Sequence, residues 1–265
     1  MTSDRALRAS IAAATGLALA LGPVAGVAPA DPAVAADTAF DRSIGLQGVQ
    51  NARDAGGYRT VDGRLVRTGL VYRTGQIDNA TPADLVVLGE RGIRIVDDLR
   101  TGYERAIAKD RVPAGAVENW DDVIGQAPPQ VLVTALTGGG DLYRAFVTAP
   151  GANAAFASVL RDIIETGDGA VLYHCTAGKD RTGWATAVLL TLLGVDRATV
   201  TEDYLLSNQY RNAGPNDPLN GVQSGWLDAA FDQVNQTYGN FDTYARDGLG
   251  LTGADIAALR AKMLA

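Results

Sequence analysis

With one cysteine in 265 residues, the chain cannot form an internal disulfide and must draw its stability from its core. That lone thiol is either a reactive group or a small buried hydrophobe, and its neighbours must decide which. Basic residues are too few to balance the acidic ones, 23 against 30, which leaves a net charge of −7. No surplus of Lys and Arg is available to neutralise a phosphate backbone, so nucleic-acid binding is excluded. Beyond the first forty residues no apolar run approaches the ~20 residues that span a bilayer, so the mature chain is not expected to insert stably into a membrane. What remains, 47% hydrophobic and 20% charged residues, is the composition of a globular protein with a sizeable core.

The N-terminus reads differently. Arg5 and Arg8 precede an apolar stretch from Ile11 to Leu21, then small residues with Pro23 and Pro29. Ala28-Pro29-Ala30 and Val34-Ala35-Ala36 both end in small residues suited to cleavage, so residues 1–36 read as a secretory signal peptide. No twin-arginine pair is present, which favours the general secretory route. An uncleaved anchor is the lesser alternative, because the run is short and interrupted. Residues 37–265 then form the exported part, with no internal repeat and no sharp boundary, hence one domain. Nothing in the sequence bears on oligomeric state.

Within that domain, residues 37–50 read as an exposed lead-in, Asn51–Tyr58 as turn-rich, and Leu65–Tyr72 as a strand. Thr81-Pro82 starts a helix that runs to about Arg91 and stops at Gly92. Ile93–Asp97 is a short β-branched strand leading into Asp98-Leu99-Arg100. Residues 110–140 carry three prolines and three consecutive glycines and read as irregular, either a lid over a site or a plain surface loop. Helical pattern resumes near Leu142 and again over Asn153–Glu165. Ala170–His174 is a strand, followed by a loop and a helix from about Thr182 to Leu193 closed by Gly194. Asp196 caps a further helix to about Asn208, and helices near 226–238, 241–247 and 253–264 complete the chain. Strands alternating with helices predict an α/β layer structure around a mostly parallel sheet.

One segment of that pattern carries chemistry: His174-Cys175-Thr176-Ala177-Gly178-Lys179-Asp180-Arg181-Thr182-Gly183, between an apolar strand and an apolar helix. In such a strand–loop–helix unit the loop amides point inward and the helix N-terminus adds its dipole, making a cradle for a tetrahedral oxyanion. Gly178 lets the backbone curl where a Cβ would intrude. Thr176, Ala177, Gly178, Lys179, Asp180 and Arg181 line this phosphate-binding turn, with Cys175 at its base. The amides, the helix terminus and Arg181 all lower a thiol pKa, which makes Cys175 a nucleophilic thiolate. Arg181 offers a planar fork that grips two oxygens of a phosphoryl group, a geometry lysine lacks. Thr182 can donate its hydroxyl to the departing thiolate. His174, the only histidine, organises the loop and is not needed as a base. The helix that follows is apolar nearly all round and reads as buried core.

This string resembles the active-site signature of the atypical bacterial tyrosine phosphatases. Further segments resemble that family: Asn51–Gly57, Tyr72-Arg73-Thr74-Gly75, Asp98-Leu99-Arg100, Asp203–Ser207, and Tyr238–Phe241 with Leu259-Arg260. The resemblance spans about residues 40 to 265. It implies a tyrosine-phosphatase-like α/β fold, a cysteinyl-phosphate intermediate, no metal or other cofactor, and phosphorylated protein or phosphoinositide as substrate, with phosphotyrosine first.

The leaving oxygen needs a proton, which a carboxylic acid supplies. Asp98 ends a strand on the same sheet edge as the loop, and the resemblance also points to it. Asp180, inside the loop, is its competitor, and Asp98 is preferred. Asp97, Asp121 and Asp122 are further candidates, the last two on a flap with Trp120. Arg53 and Asp54 either contact phosphate and orient Arg181 or a loop amide, or form an ion pair that holds the Gly56-Gly57 turn. Lys179 is either a second cation suited to multiply phosphorylated headgroups or a solvated side chain. A catalytically silent phosphate-binding module and a sulfurtransferase are the competing functions. Intact Cys175 and Arg181 disfavour the first, and the Gly-Lys-Asp-Arg-Thr string disfavours the second.

Overall fold

The computed structural model describes residues 41–135 and 138–265, so the signal-peptide reading of residues 1–36 lies outside them. In chain order the elements are β1 (Arg53–Asp54), β2 (Val71–Thr74), α1 (Pro82–Glu90), β3 (Ile93–Asp98), α2 (Gly102–Ile107), β4 (Val117–Trp120), α3 (Pro129–Thr134), α4 (Gly140–Thr148), α5 (Ala152–Glu165), β5 (Ala170–His174), α6 (Arg181–Leu193), α7 (Arg197–Tyr210), α8 (Ser224–Tyr238), α9 (Phe241–Thr243), a π-helical turn (Tyr244–Gly248) and α10 (Gly253–Met263).

The strands order as β1-β2-β5-β3-β4. Only β1 runs antiparallel to its neighbour; the β2–β5, β5–β3 and β3–β4 pairs are parallel. The α/β expectation therefore holds. β5 is central and every one of its residues is buried, as a parallel strand covered on both faces should be. Its side chains alternate between two cores. Val171 and Tyr173 join the large helical layer, which includes Leu142, Phe146, Leu160, Trp184, Leu189 and Leu227. Ala170 and Leu172 join a smaller cluster with Ile44, Tyr72, Ile77, Leu88 and Val96. All residues of α6 except Thr191 are buried, so the helix that follows the loop is fixed in the core.

Local chemistry sets the helix ends. Thr81 with Asp84, Thr101 with Glu104 and Thr252 with Asp255 form capping boxes, each satisfying amides that have no partner within the helix. Gly194, at φ +87°, closes α6.

Three expectations change. The strand expected over Leu65–Tyr72 is instead Val71–Thr74, because Gly69 at φ +80° turns the chain and Asp54 Oδ2 accepts its amide at 2.7 Å. The stretch expected to be irregular contains β4 and α3; β4 is an edge strand with no fully buried residue, so it lacks a clear hydrophobic signature. The short helix α2 also goes unmarked by hydrophobic pattern, since none of its residues is buried.

Candidate active site

Register brings the site together. His174, the last residue of β5, pairs with Thr74 on one side and Asp98 on the other. The turn that follows therefore leaves the carboxyl end of the central strand, flanked by Thr74-Gly75-Gln76 and Asp98-Leu99-Arg100. This is the edge where parallel sheets present functional groups.

The loop's carbonyls face outward and are held there. The Thr176 carbonyl accepts from the Gln76 amide at 3.1 Å, and the Ala177 carbonyl from Arg211 Nη1 at 3.0 Å. The Gly178 carbonyl accepts from Asn51 Nδ2 at 2.7 Å and Arg73 Nη2 at 3.1 Å. Among the described residues, no amide from 176 to 180 donates to a backbone carbonyl, so these N–H groups remain for an anion in the concave side. Gly178 has φ +67°, and a Cβ there would stand 2.4 Å from the Thr74 carbonyl oxygen. No other residue fits that backbone.

Behind the loop lies a buried ionic frame. Asp203 on α7 accepts from Arg73 Nη1 at 2.7 Å and from the Tyr58 hydroxyl at 2.7 Å, with Arg53 Nε at 3.5 Å. Arg53 and Asp54, adjacent on a strand, point to opposite sides. Arg53 goes to this frame, whereas Asp54 accepts from the Gly56 and Gly69 amides at 2.7 Å each. They do not pair with each other.

At the base, Cys175 is 1% exposed. Burial by itself raises its pKa, but the Arg181 charge and the hydroxyl and amide of Thr182 outweigh that and bring the thiol below its ordinary value. Among the described residues, buried Thr182 Oγ1 has no nitrogen or oxygen hydrogen-bond partner, which leaves it to the thiol. Arg181 Nη1 and Nη2 donate to Glu104 Oε2 and Oε1, both at 2.7 Å. Burial opposes this charge pair on both sides, yet the contact pushes Arg181 up and holds Glu104 well below the usual carboxylate range. Glu104 also accepts a short hydrogen bond from Thr176 Oγ1. It thus ties the fork residue to the loop's outer wall. No sequence argument above identified Glu104, although Thr101-x-x-Glu104 is a capping-box spacing and could have marked the helix that carries it.

Asp98 is fully buried and its oxygens are occupied. Oδ1 accepts from Arg100 Nε at 2.8 Å and Oδ2 from Arg100 Nη2 at 2.9 Å, with Arg105 Nε 3.1 Å from Oδ2. Arg100 Nη2 also meets Asp110 Oδ2 at 2.8 Å, and that oxygen lies 2.9 Å from His174 Nε2. Burial would lower the His174 pKa, but Asp110, with help from Asp98, raises it, and Nδ1 lies 3.2 Å from the Cys175 carbonyl. His174 thus sits between Asp110, which the sequence did not single out, and the Cys175 carbonyl at the loop's entry. Asp98, preferred above as the acid, thus has both carboxylate oxygens in contact with arginines.

Asp180 is 6% exposed and accepts from the Tyr143 hydroxyl at 3.0 Å. Lys179 is neither solvated nor free, since its Nζ lies 3.0 Å from Asp180 Oδ2, donates to the Pro218 carbonyl at 3.2 Å and sits over the Trp226 ring. The Trp120 segment is tied to its surroundings. Trp120 Nε1 donates to the Arg100 carbonyl at 3.0 Å, Asp121 is buried, and Asp122 caps the Ile124 and Gly125 amides.

A thiol with lowered pKa, beside a guanidinium fork and next to loop amides that no backbone carbonyl claims, is an arrangement suited to holding an oxyanion. Residues 44–265 match the model of the tyrosine phosphatase family, so the chain belongs to that family and is a protein-tyrosine phosphatase. It is 33% identical over 280 residues to a putative tyrosine-protein phosphatase of Cupriavidus necator, covering 90% of this chain and 94% of that one. It is 28% identical over 277 residues to the triple specificity protein phosphatase PtpB of Mycobacterium tuberculosis, covering 83% and 98%. A solved P. aeruginosa TpbA aligns at 17% identity and TM-score 0.36, over 76% of this chain and 89% of that one.

Proposed function

We propose that this phosphatase cleaves phosphomonoesters, protein phosphotyrosine first, through a cysteinyl-phosphate intermediate. The observation that carries the reading is Cys175, its pKa lowered by Arg181 and Thr182, at the centre of amides that no backbone carbonyl claims. In the first step the Cys175 sulfur attacks phosphorus and the phosphorus–oxygen bond to the leaving group breaks. The amides and Arg181 stabilise the charge on the equatorial oxygens. Asp180 protonates the leaving oxygen: it lies in the loop and pairs with one lysine and the Tyr143 hydroxyl, whereas fully buried Asp98 is held by two arginines. Water then attacks the phosphocysteine with Asp180 as base, and Thr182 hydrogen-bonds the departing thiolate.

The commitment of Lys179 to Asp180, Pro218 and Trp226 supports a monophosphate as the preferred substrate. A relative described as triple-specificity supports dual-specificity and phosphoinositide activity as the second reading. Residues 1–36 act in this proposal as a signal peptide, and no helix among the described residues is long and apolar enough to cross a membrane.

Hydrolysis of an aryl phosphate by wild type and Cys175→Ser tests the chemistry; equal rates at every pH from about 5 to 8 would refute it. A panel of phosphotyrosine peptides, phosphoserine peptides and phosphoinositides tests the preference. A higher kcat/KM for phosphoinositide than for phosphotyrosine would overturn it. Export is checked by the N-terminal sequence of protein recovered from culture medium; a chain that retains residue 1 and stays with the cells contradicts it.

A further inference from the structure

Three carboxylates converge away from the catalytic loop. Asp97 is the neighbour of Asp98 on β3, but strand side chains alternate, so it faces the opposite side of the sheet. Asp121 follows β4, and Asp162 lies on α5. One oxygen from each lies within 4.8 Å of those of the other two. Asp97 is 0% exposed and Asp121 8%, while Asp162 is half-buried.

These groups lack compensation. Among the described residues, neither oxygen of Asp97 has a hydrogen-bond partner, nor does Asp121 Oδ2. The nearby Asn119 Nδ2 donates to Asp162 at 2.7 Å. Among the described residues, no arginine, lysine or histidine forms an ion pair with any of the three. This contrasts with Asp98 one residue on, which has two arginines.

Buried carboxylates in mutual contact require protons or a cation. An all-oxygen donor set selects hard cations. Oxygens bound to one Ca2+ at about 2.3–2.6 Å lie within such a span of one another, whereas Mg2+ loses its waters reluctantly and suits a buried site less well. We propose that Asp97, Asp121 and Asp162 bind one calcium-sized divalent cation that ties β3 and the end of β4 to α5. Such a cation joins the back of the strand bearing Asp98 to the large helical layer. It is a stabilising site and takes no part in phosphate chemistry.

The full chain, stripped with EDTA and dialysed, is melted with calcium, magnesium or neither at matched ionic strength. Calcium about a hundredfold above its Kd should raise Tm by about 5 °C or more, and calorimetric titration should give one site per chain. Asp97→Asn and Asp162→Asn should each abolish the calcium shift while leaving aryl phosphate hydrolysis intact. Having two variants covers the case in which Asp97→Asn does not fold. No response of wild type to either ion would overturn the proposal and leave shared protons as the source of neutrality. A calcium shift that survives in a folded variant would overturn it by placing the ion elsewhere, and a response to magnesium alone would overturn the calcium assignment.

Discussion

Glu104 offers the most discriminating test of how the site is built. In Glu104→Gln one of the two charged oxygens facing Arg181 becomes an amide nitrogen. Both existing contacts are 2.7 Å long, the Arg181 side chain is 7% exposed and that of Glu104 is 25% exposed. A charge-assisted hydrogen bond contributes about 1.5–3 kcal/mol. The glutamine keeps one acceptor, so the loss is about one such bond, taken at the low end because a quarter of Glu104 meets solvent. If Glu104 is a positioning residue that holds the fork over Cys175, about 1.5–2.5 kcal/mol appears in the transition state, or roughly a 10–70-fold fall in kcat/KM. Tm should drop by about 3–8 °C. The assay is steady-state hydrolysis of a phosphotyrosine peptide, with inhibition by vanadate measured alongside. A merely structural role would lower Tm and leave kcat and vanadate affinity of the folded fraction unchanged. If Glu104 instead competes with phosphate for Arg181, the variant gains kcat/KM and binds vanadate more tightly; either result refutes the positioning argument.

Alkylation of Cys175 by iodoacetamide should rise with pH through a midpoint below the ordinary cysteine value, because Arg181 and Thr182 together outweigh burial; a midpoint at or above about 8.5 contradicts this. Asp180→Asn should slow phenyl phosphate hydrolysis by about 10²–10⁴-fold and affect a substrate with a highly activated leaving group far less. Asp98→Asn should instead lower Tm, with a loss of rate that does not depend on the leaving group; the opposite pattern restores Asp98 as the acid. Gly178→Ala must place a Cβ 2.4 Å from the Thr74 carbonyl oxygen at φ +67°, so activity should vanish and Tm fall, and a variant with near-normal kcat/KM would show the loop is not held as described. Asp203→Asn removes the carboxylate between two fully buried arginines and should cost about 3–5 kcal/mol, read by denaturant unfolding. Burial opposes the charge of Asp203, but Arg53 and Arg73 outweigh it and lower its pKa. That stabilisation is therefore complete above the unfolded carboxyl value near 3.9, and wild type loses it as pH falls through the lower folded value. Asp203→Asn should show a shallower acid limb.

The parts legible in the sequence are those whose information is local. Ala170–His174 is an uninterrupted apolar run, Gly178 and Gly194 mark positions of positive φ, and Thr81-Pro82 carries its own capping chemistry. From these the central strand, the loop and its helix follow, and with them the nucleophile and the fork. The partners that complete the site are remote. Glu104 and Arg181 are 77 residues apart, Arg73 and Asp203 are 130 apart, and no periodicity links them. They meet because β5 lies between β2 and β3, which brings three strand ends to one edge. The same topology bears on the choice of acid. Asp98 at the end of a parallel strand has the right address, but the address says nothing about which cations arrive there. Arg100 and Arg105 are close in sequence, yet whether they turn toward Asp98 or toward solvent depends on α2, whose residues carry no buried stripe. Asp97 makes the converse point. In the sequence it was one more acidic neighbour of the motif. Alternation on β3 separates the pair, so that one carboxylate meets Arg100 and Arg105 while the other faces two further acids and, among the described residues, no arginine, lysine or histidine pairs with it.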